Sequence, residues 1–173
     1  MTVEDGRVEV RRYWDIRHAS TKIPPQREEN MAEEVAARLK ESVRMRLLSD
    51  VPLGVFLSGG IDSSSVTALM SEVASGAVKT YSIGFREKTF DELDYARMVA
   101  RRFGTEHHEF IVEPGQVRDL VPVLMRYLDE PLADASIIPT YIISRLARPF
   151  VTVALAGDGG DELAAKVAAA IDA

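Results

Sequence analysis

From Glu28 onward the apolar residues change spacing in a regular way. Met31, Val35, Leu39, Val43 and Leu47 recur every four positions among Glu, Arg and Lys, the stripe of an amphipathic helix over 28–48. Pro52 follows, and Val55-Phe56-Leu57 is a short apolar run of the buried-strand type. Helical spacing returns at Val66, Leu69, Met70 and Val73, with Asp62 or Ser63 as candidate N-cap and Gly76 at the end. Lys79 to Phe85 reads as a second strand. Leu93, Ala96, Val99, Ala100 and Phe103 share one face of a helix that Asp91 would cap and Gly104 would close, and His108 to Val112 is a third strand. Pro114 and Pro122 predict two short helices, because proline is tolerated in a first turn and interrupts the ladder deeper in. Asp134 or Ser136 caps a helix through Tyr141, Ile142 and Leu146 that ends by Pro149, and Val151 to Leu155 is a continuous apolar strand. Residues 1–27 mix charges with Tyr13, Trp14 and Pro24-Pro25, and predict a short strand or two and a linker ahead of a domain over 28–173.

Strand and helix alternating in this way predict an α/β fold, a doubly wound parallel sheet with helices on both faces. Ligands of open sheets bind beyond the carboxyl ends of the strands. That rule brings the Ser58 loop, the Ile83-Gly84 strand end and the Gly157 loop to one site.

The Ser58 loop is chemically loaded. Ser58-Gly59-Gly60-Ile61-Asp62-Ser63-Ser64 joins a strand to a helix N-terminus, where glycines let backbone approach an anion and unsatisfied N–H groups favour negative charge. It lacks the G-x-x-x-x-G-K-[ST] spacing and the G-x-G-x-x-G fingerprint, so it is neither of the commonest nucleotide loops. A serine nucleophile at Ser58 is disfavoured, because Phe56 stands where the G-x-S-x-G elbow needs glycine. After the last strand, Ala156-Gly157-Asp158-Gly159-Gly160-Asp161-Glu162 sets three carboxylates on a glycine turn. Acids beside a phosphate loop repel the ligand unless a cation lies between, and Mg²⁺ takes carboxylate and phosphate oxygens together. His107 and His108 are a poor metal pair, since adjacent strand residues point to opposite faces. Asp129, Glu130 and Asp134 read first as cap and turn residues.

The chain has 173 residues, a net charge of −6 and no cysteine. The acidic balance argues against a broad nucleic-acid footprint, and a cysteine-free chain has neither a disulfide framework nor a thiolate metal site. With no charged-then-apolar leader and no run of membrane-spanning length, the expectation is a cytoplasmic protein with no membrane partner.

Residues 58–64 resemble the pyrophosphate loop of the PP-loop ATP pyrophosphatases, the adenine nucleotide alpha hydrolase-like fold. Further stretches resemble the glutamine-hydrolysing asparagine synthetases and related amidotransferases. They are Tyr13-Trp14-Asp15, Asp50-Val51-Pro52-Leu53-Gly54, Thr80-Tyr81-Ser82-Ile83-Gly84-Phe85, Phe90-Asp91-Glu92, Glu106-His107-His108-Glu109, Leu128-Asp129-Glu130-Pro131, Ile138-Pro139-Thr140-Tyr141 and Gly157 to Leu163. The resemblance implies that aspartate attacks the α-phosphorus of ATP to give β-aspartyl-AMP and pyrophosphate, and that ammonia then displaces AMP. It implies that Ser58, Gly59, Gly60, Asp62, Ser63 and Ser64 hold pyrophosphate, and that Asp62 and Asp161 bind Mg²⁺. Leu57, Ile83, Gly84 and Gly157 fall where the family holds adenosine, and Asp158 where an acid serves the intermediate or the incoming ammonia. It also allows a homodimer. Two departures stand out. The family's glutaminase domain uses an N-terminal cysteine, and this chain has none, so ammonia would come from a domain outside it. The family's catalytic lysine has no counterpart, for Lys166 sits in an alanine-rich stretch that aligns with nothing, and Ala156 replaces a common serine. The expectation is a fragment that starts after the glutaminase domain and ends inside the synthetase domain. A relative that amidates another carboxylate, or a nucleotide-binding module without turnover, are the alternative readings.

Overall fold

The computed structural model describes residues 1–13, 27–85, 93–128, 134 and 136–160. Two compact units divide the chain, Met1–Ala37 and Arg38–Ala173. In the first, β1 (Thr2–Glu4) and β2 (Arg7–Glu9) form an antiparallel hairpin. Asp5 and Gly6 turn it, both at positive φ, as a tight primed hairpin turn requires. Helix α1 (Glu28–Arg46) runs from the first unit into the second.

In the second unit, β3 (Leu53–Phe56), β4 (Lys79–Phe85), β5 (Glu106–Val112) and β6 (Val153–Leu155) form a parallel sheet in the order β5-β4-β3-β6. Helix α2 (Ile61–Val73) links β3 to β4, and α3 (Leu93–Phe103) links β4 to β5. Helices α4 (Pro114–Leu124) and α5 (Ile137–Ala147) lie between β5 and β6. That last connection carries the chain back past β4 and β3, so the strand order reverses between β3 and β6. Open sheets form their ligand crevice at such a reversal, outside the carboxyl ends of the two strands.

Period-two alternation sorts the strand side chains onto two faces. Val55 joins Val43, Met70 and Val78, with Leu53 packed alongside, and Leu57 joins Ala96 and Ala100, so α2 and α3 cover one face. Tyr81 joins Ile143, Ala147 and Val151, with Phe56, Ile83 and Phe110 against them, so α5 covers the other. Burial of an aliphatic side chain of this kind stabilises by about 1.5–3 kcal/mol. The doubly wound sheet expected from the sequence is the architecture observed.

The structure corrects several local expectations. Residues 114–124 form one helix with Pro122 inside it, not two. Pro122 and Arg118, whose carbonyl loses its helical donor, are both exposed, so water can satisfy the ladder bond that proline removes. Neither Asp62 nor Ser63 caps α2; Gly60 is the N-cap, with no side-chain cap hydrogen bond. The helix closes at Ala74, whose N–H donates to the Met70 carbonyl, rather than at Gly76. The strand expected from Val151 begins at Val153, after Thr152 N–H and Val153 N–H donate to the Pro52 carbonyl. Gly104, at φ +63°, closes α3 as expected, while the proposed Asp91 cap lies outside the described residues.

Candidate active site

Strand β3 delivers the first corner. The Leu57 N–H donates to the Tyr81 carbonyl at 2.9 Å, and the Leu57 carbonyl accepts a short bond from the Ser82 hydroxyl. Leu57 is 1% exposed, so its side chain backs the loop. Beyond it the chain turns at Gly59, φ +87°, where a Cβ would lie 2.5 Å from Tyr95 Cβ and 2.7 Å from the Ala96 nitrogen. Any side chain there would therefore meet the backbone of α3, besides being strained at that φ.

Two serine hydroxyls fold the corner. Ser58 Oγ and Ser63 Oγ are 2.9 Å apart, the Ser58 N–H donates to Ser63 Oγ at 3.2 Å, and the Gly60 N–H donates to Ser58 Oγ at 3.2 Å. Ser63 Oγ also reaches the Gly60 carbonyl at 3.3 Å. Ser63 is thus turned inward and brings the loop together, which explains why it does not cap α2. The helix N-terminus keeps first-turn N–H groups with no side-chain cap, the condition for receiving an anion. Ser64 Oγ is buried with no hydrogen-bond partner among the described residues.

Strand β6 delivers the second corner, through Ala156 and Gly157 into a turn closed by the Gly160 N–H donating to the Gly157 carbonyl at 3.2 Å. Gly159 takes φ +89° in this turn. The two corners touch. A Cβ on Gly157 would lie 2.8 Å from the Ser63 nitrogen and 2.9 Å from Asp62 Cβ, and one on Gly160 would overlap the Asp62 carboxylate, 2.5 Å from Oδ1 and 2.6 Å from Oδ2. Gly157 and Gly160 are therefore small because Asp62 must pass beneath them. Asp158 is exposed beside this contact. Ile83 and Gly84 end β4 on the same side, two and three residues past the Tyr81 that holds Leu57.

Asp161 and Glu162 lie outside the described residues, and no group of three metal-ligating side chains occurs among the described ones. What is present fits a hard cation beside phosphate: a carboxylate at Asp62, an orphaned Ser64 hydroxyl, and an uncapped helix N-terminus. Asp134 serves the turn before α5. Its Oδ1 accepts the Ser136 N–H at 2.8 Å, and that backbone bond, with a lesser one from the Ser136 side chain, holds its carboxyl below the usual range.

Sequence reasoning missed a polar network behind the first corner. Arg97 of α3 grips Glu109 of β5, Nε to Oε1 at 2.8 Å and Nη2 to Oε2 at 2.7 Å, while its Nη1 donates to Asp94 at 2.8 Å. His107 Nδ1 is 2.8 Å from Thr80 Oγ1. Its Nε2 lies 3.3 Å from Glu109 Oε1, close enough for charge attraction but without hydrogen-bond alignment. The hydrogen bond from Arg97 holds the Glu109 carboxyl below its usual range, and burial holds His107 below its own. The available signal was the alternation of polar residues, Thr80 and Ser82 on β4 and His107 and Glu109 on β5.

The asparagine synthase family model matches residues 34–167. A putative glutamine-hydrolysing asparagine synthetase 2 of Methanocaldococcus jannaschii is 40% identical over 158 residues, covering 90% of this chain and 30% of that protein. The glutamine-hydrolysing asparagine synthetase 1 of Bacillus subtilis is 36% identical over 159 residues, covering 92% and 24%. The chain thus spans less than a third of the length of these relatives. Among solved structures, the glutamine-dependent NAD⁺ synthetase of Acinetobacter baumannii, in complex with ADP, superposes with a TM-score of 0.57 at 23% identity, over 85% of this chain and 29% of that one. The NH₃-dependent NAD synthetase of Campylobacter jejuni superposes with a TM-score of 0.52 at 14% identity, over 76% and 58%. At these identities the likeness is one of fold. No helix among the described residues is long and apolar enough to cross a membrane.

Proposed function

The chain belongs to the asparagine synthase family, and on that premise we propose that its two glycine corners hold ATP while a side-chain carboxylate is adenylylated. The observation that carries the reading is the approach of Gly157 and Gly160 to Asp62 at the strand-order reversal. The second corner, more than 90 residues on, keeps glycine at 157 and 160, so that the Asp62 carboxylate of the first corner fits against it beside an anion-receptive helix end.

In the proposed reaction an oxygen of the aspartate β-carboxylate attacks the α-phosphorus, and the bond from that phosphorus to the α,β-bridging oxygen breaks. Pyrophosphate leaves, and β-aspartyl-AMP remains. Ammonia then attacks the acyl carbon, the bond to the AMP oxygen breaks, and nitrogen loses a proton to give asparagine. The protein's part is positioning and charge stabilisation. The first-turn N–H groups of α2, with Ser58, Gly59, Gly60, Asp62, Ser63 and Ser64, surround pyrophosphate, Ser63 acting from within the loop. Leu57, Ile83, Gly84 and Gly157 line the adenosine, and Asp158 faces the intermediate or the ammonia. Asp62, with Asp161, would hold Mg²⁺, which when bound neutralises phosphate charge. The synthetase domain is taken as 28–173, with 1–27 leading into it. A cytoplasmic setting, ammonia from a glutaminase domain and assembly as a homodimer accompany the reading through the family resemblance.

The test is pyrophosphate release from ATP with Mg²⁺, ammonia and L-aspartate, alongside equilibrium binding of ATP. Aspartate-dependent release is expected, and Asp62→Asn should lower it about a hundredfold, the scale of losing a preorganised charge-stabilising group. Release only with a different carboxylic acid moves the acceptor, and binding without release makes the chain a nucleotide-binding module. Unchanged ATP binding and release in Asp62→Asn would reject the assignment.

A further inference from the structure

The phosphate corner does not stand on β3 alone. Gly59 lies against the Tyr95–Ala96 peptide of α3, closely enough that a Cβ would come within 2.9 Å of three atoms there. The place of that peptide therefore fixes the place of the loop. Helix α3 is anchored by buried Leu93, Ala96 and Ala100, but apolar contacts are non-directional and oppose sliding along the axis less than they oppose lifting away. Directional bonds oppose such sliding. The fork of Arg97, one and two residues past the seat, meets both oxygens of Glu109 in bidentate fashion. Glu109 pairs in register with Ser82, and the Ser82 hydroxyl holds the Leu57 carbonyl at the loop's start. One level of the sheet thus fastens both ends of the turn: Ser82 the entry, Arg97 and Glu109 the back.

We propose that Arg97 and Glu109 form a positioning clamp for the phosphate loop, setting α3 so that its Tyr95–Ala96 peptide seats Gly59. Arg97 is not a phosphate ligand here. Its Nε and Nη2 are committed to Glu109 and its Nη1 to Asp94, so the guanidinium is already surrounded by two carboxylates. The inference rests on the ATP reading given above, but its first readout does not need ATP.

Amide hydrogen exchange at Ser58 and Gly60, whose N–H groups are hydrogen-bonded within the loop, is measured on the free protein, and ATP affinity in the presence of Mg²⁺ on the same samples. The variants are Arg97→Lys, Arg97→Gln, Glu109→Gln and the exchanged pair R97E/E109R. Arg97→Gln and Glu109→Gln should each raise exchange in the loop about tenfold and weaken ATP by a similar factor, with Arg97→Lys between them and wild type because it keeps charge and loses the fork. The exchanged pair should recover part of both effects, since the two sites are coupled. Arg97→Lys, the mildest change, keeps the test open should the glutamine variants unfold. Loop exchange unchanged in every folded variant overturns the clamp. So does ATP affinity lost with Arg97→Gln and kept with Glu109→Gln, because that pattern belongs to a direct phosphate ligand. If wild type binds no ATP while loop exchange still responds, the functional reading fails and the clamp stands as a property of the loop.

Discussion

On the α5 face of the sheet, Tyr81 stacks on His108 with ring centroids 5.2 Å apart, and His108 stacks on Phe150 at 4.8 Å, over a floor of Ile143, Ala147 and Val151. On the α3 face, the very next strand positions carry Thr80, Ser82, His107 and Glu109, joined to one another, to Leu57 and to Arg97 by hydrogen bonds and charge. The same strands build both faces, because alternate residues point opposite ways. Aromatic and aliphatic packing is strong in sum but non-directional, so it stabilises the sheet without fixing any one atom. Hydrogen bonds fix atoms, and on the α3 face those of Ser82, Glu109 and Arg97 lead to the residues that precede or back the 58–64 loop. Apolar packing thus stabilises the sheet from both sides, while the bonds that set the geometry of the 58–64 loop come from the α3 side.

The largest effects should separate the two sides. Ile143→Ala removes a buried side chain from the α5 face and should cost about 2–5 kcal/mol of unfolding free energy, read from urea denaturation. In the protein that remains folded, ATP affinity should hardly change. Ser82→Ala should show the reverse, costing only about 1–2 kcal/mol by leaving the Leu57 carbonyl without its donor, yet weakening ATP more than Ile143→Ala does. Equal loss of ATP affinity in the two variants would dissolve the division of labour between the faces.

That division explains what could be read from the sequence. Strand β4 was legible residue by residue, Lys79 to Phe85, because its pattern is set by burial on both faces. The meeting of the 58–64 and 157–160 corners was legible too, since alternating strands and helices leave loops only at strand ends. The caps were not. Ser63 has the chemistry of an N-cap, but its hydroxyl bonds Ser58, five residues back, and a propensity scale cannot see that competing partner. Pro122 misled for the opposite reason. The penalty for proline is part lost hydrogen bond and part ring clash, and water at the exposed Pro122 and Arg118 can offset the first part, which the sequence alone does not signal. The Arg97–Glu109 pair spans 12 residues and two elements, and only the register of β5 against β4 reveals it.

A smaller effect sharpens the polar side. Burial, outweighing the attraction of Glu109, holds His107 below its ordinary value of 6.5, so the fold prefers it neutral. As pH falls below about 6.5 the unfolded chain takes up this proton first, so stability falls through the window between 6.5 and the lowered native value. Glu109 acts in the same direction further down. Its carboxyl, held low chiefly by Arg97, contributes stability above its ordinary 4.5 that is lost as pH drops through its native value. His107→Gln should flatten the upper part of the acid slope in urea midpoints taken from about pH 8 to pH 5, and leave the lower part in place. An unaltered slope would mean that His107 is not the group that titrates there.

The smallest effect concerns a buried polar atom on the packed side that has no partner among the described residues. Tyr81 is fully buried, its ring fits over Gly54, where a Cβ would lie 2.7 Å from Tyr81 Cε2, and its hydroxyl has no hydrogen-bond partner among the described residues. Burial, with a lesser push from the charge of Glu106, raises that hydroxyl above its ordinary value, which keeps it protonated. A buried hydroxyl without a partner loses its water bonds on folding and gains nothing in return. Tyr81→Phe keeps the ring and its stacking on His108 and Phe110, and deletes only the orphaned group. The variant should therefore be more stable than wild type by about 1 kcal/mol in urea denaturation, with unchanged ATP affinity. Loss of stability instead would reveal a bound water or another partner at the hydroxyl, and with it a directional contact on the face assigned here to packing.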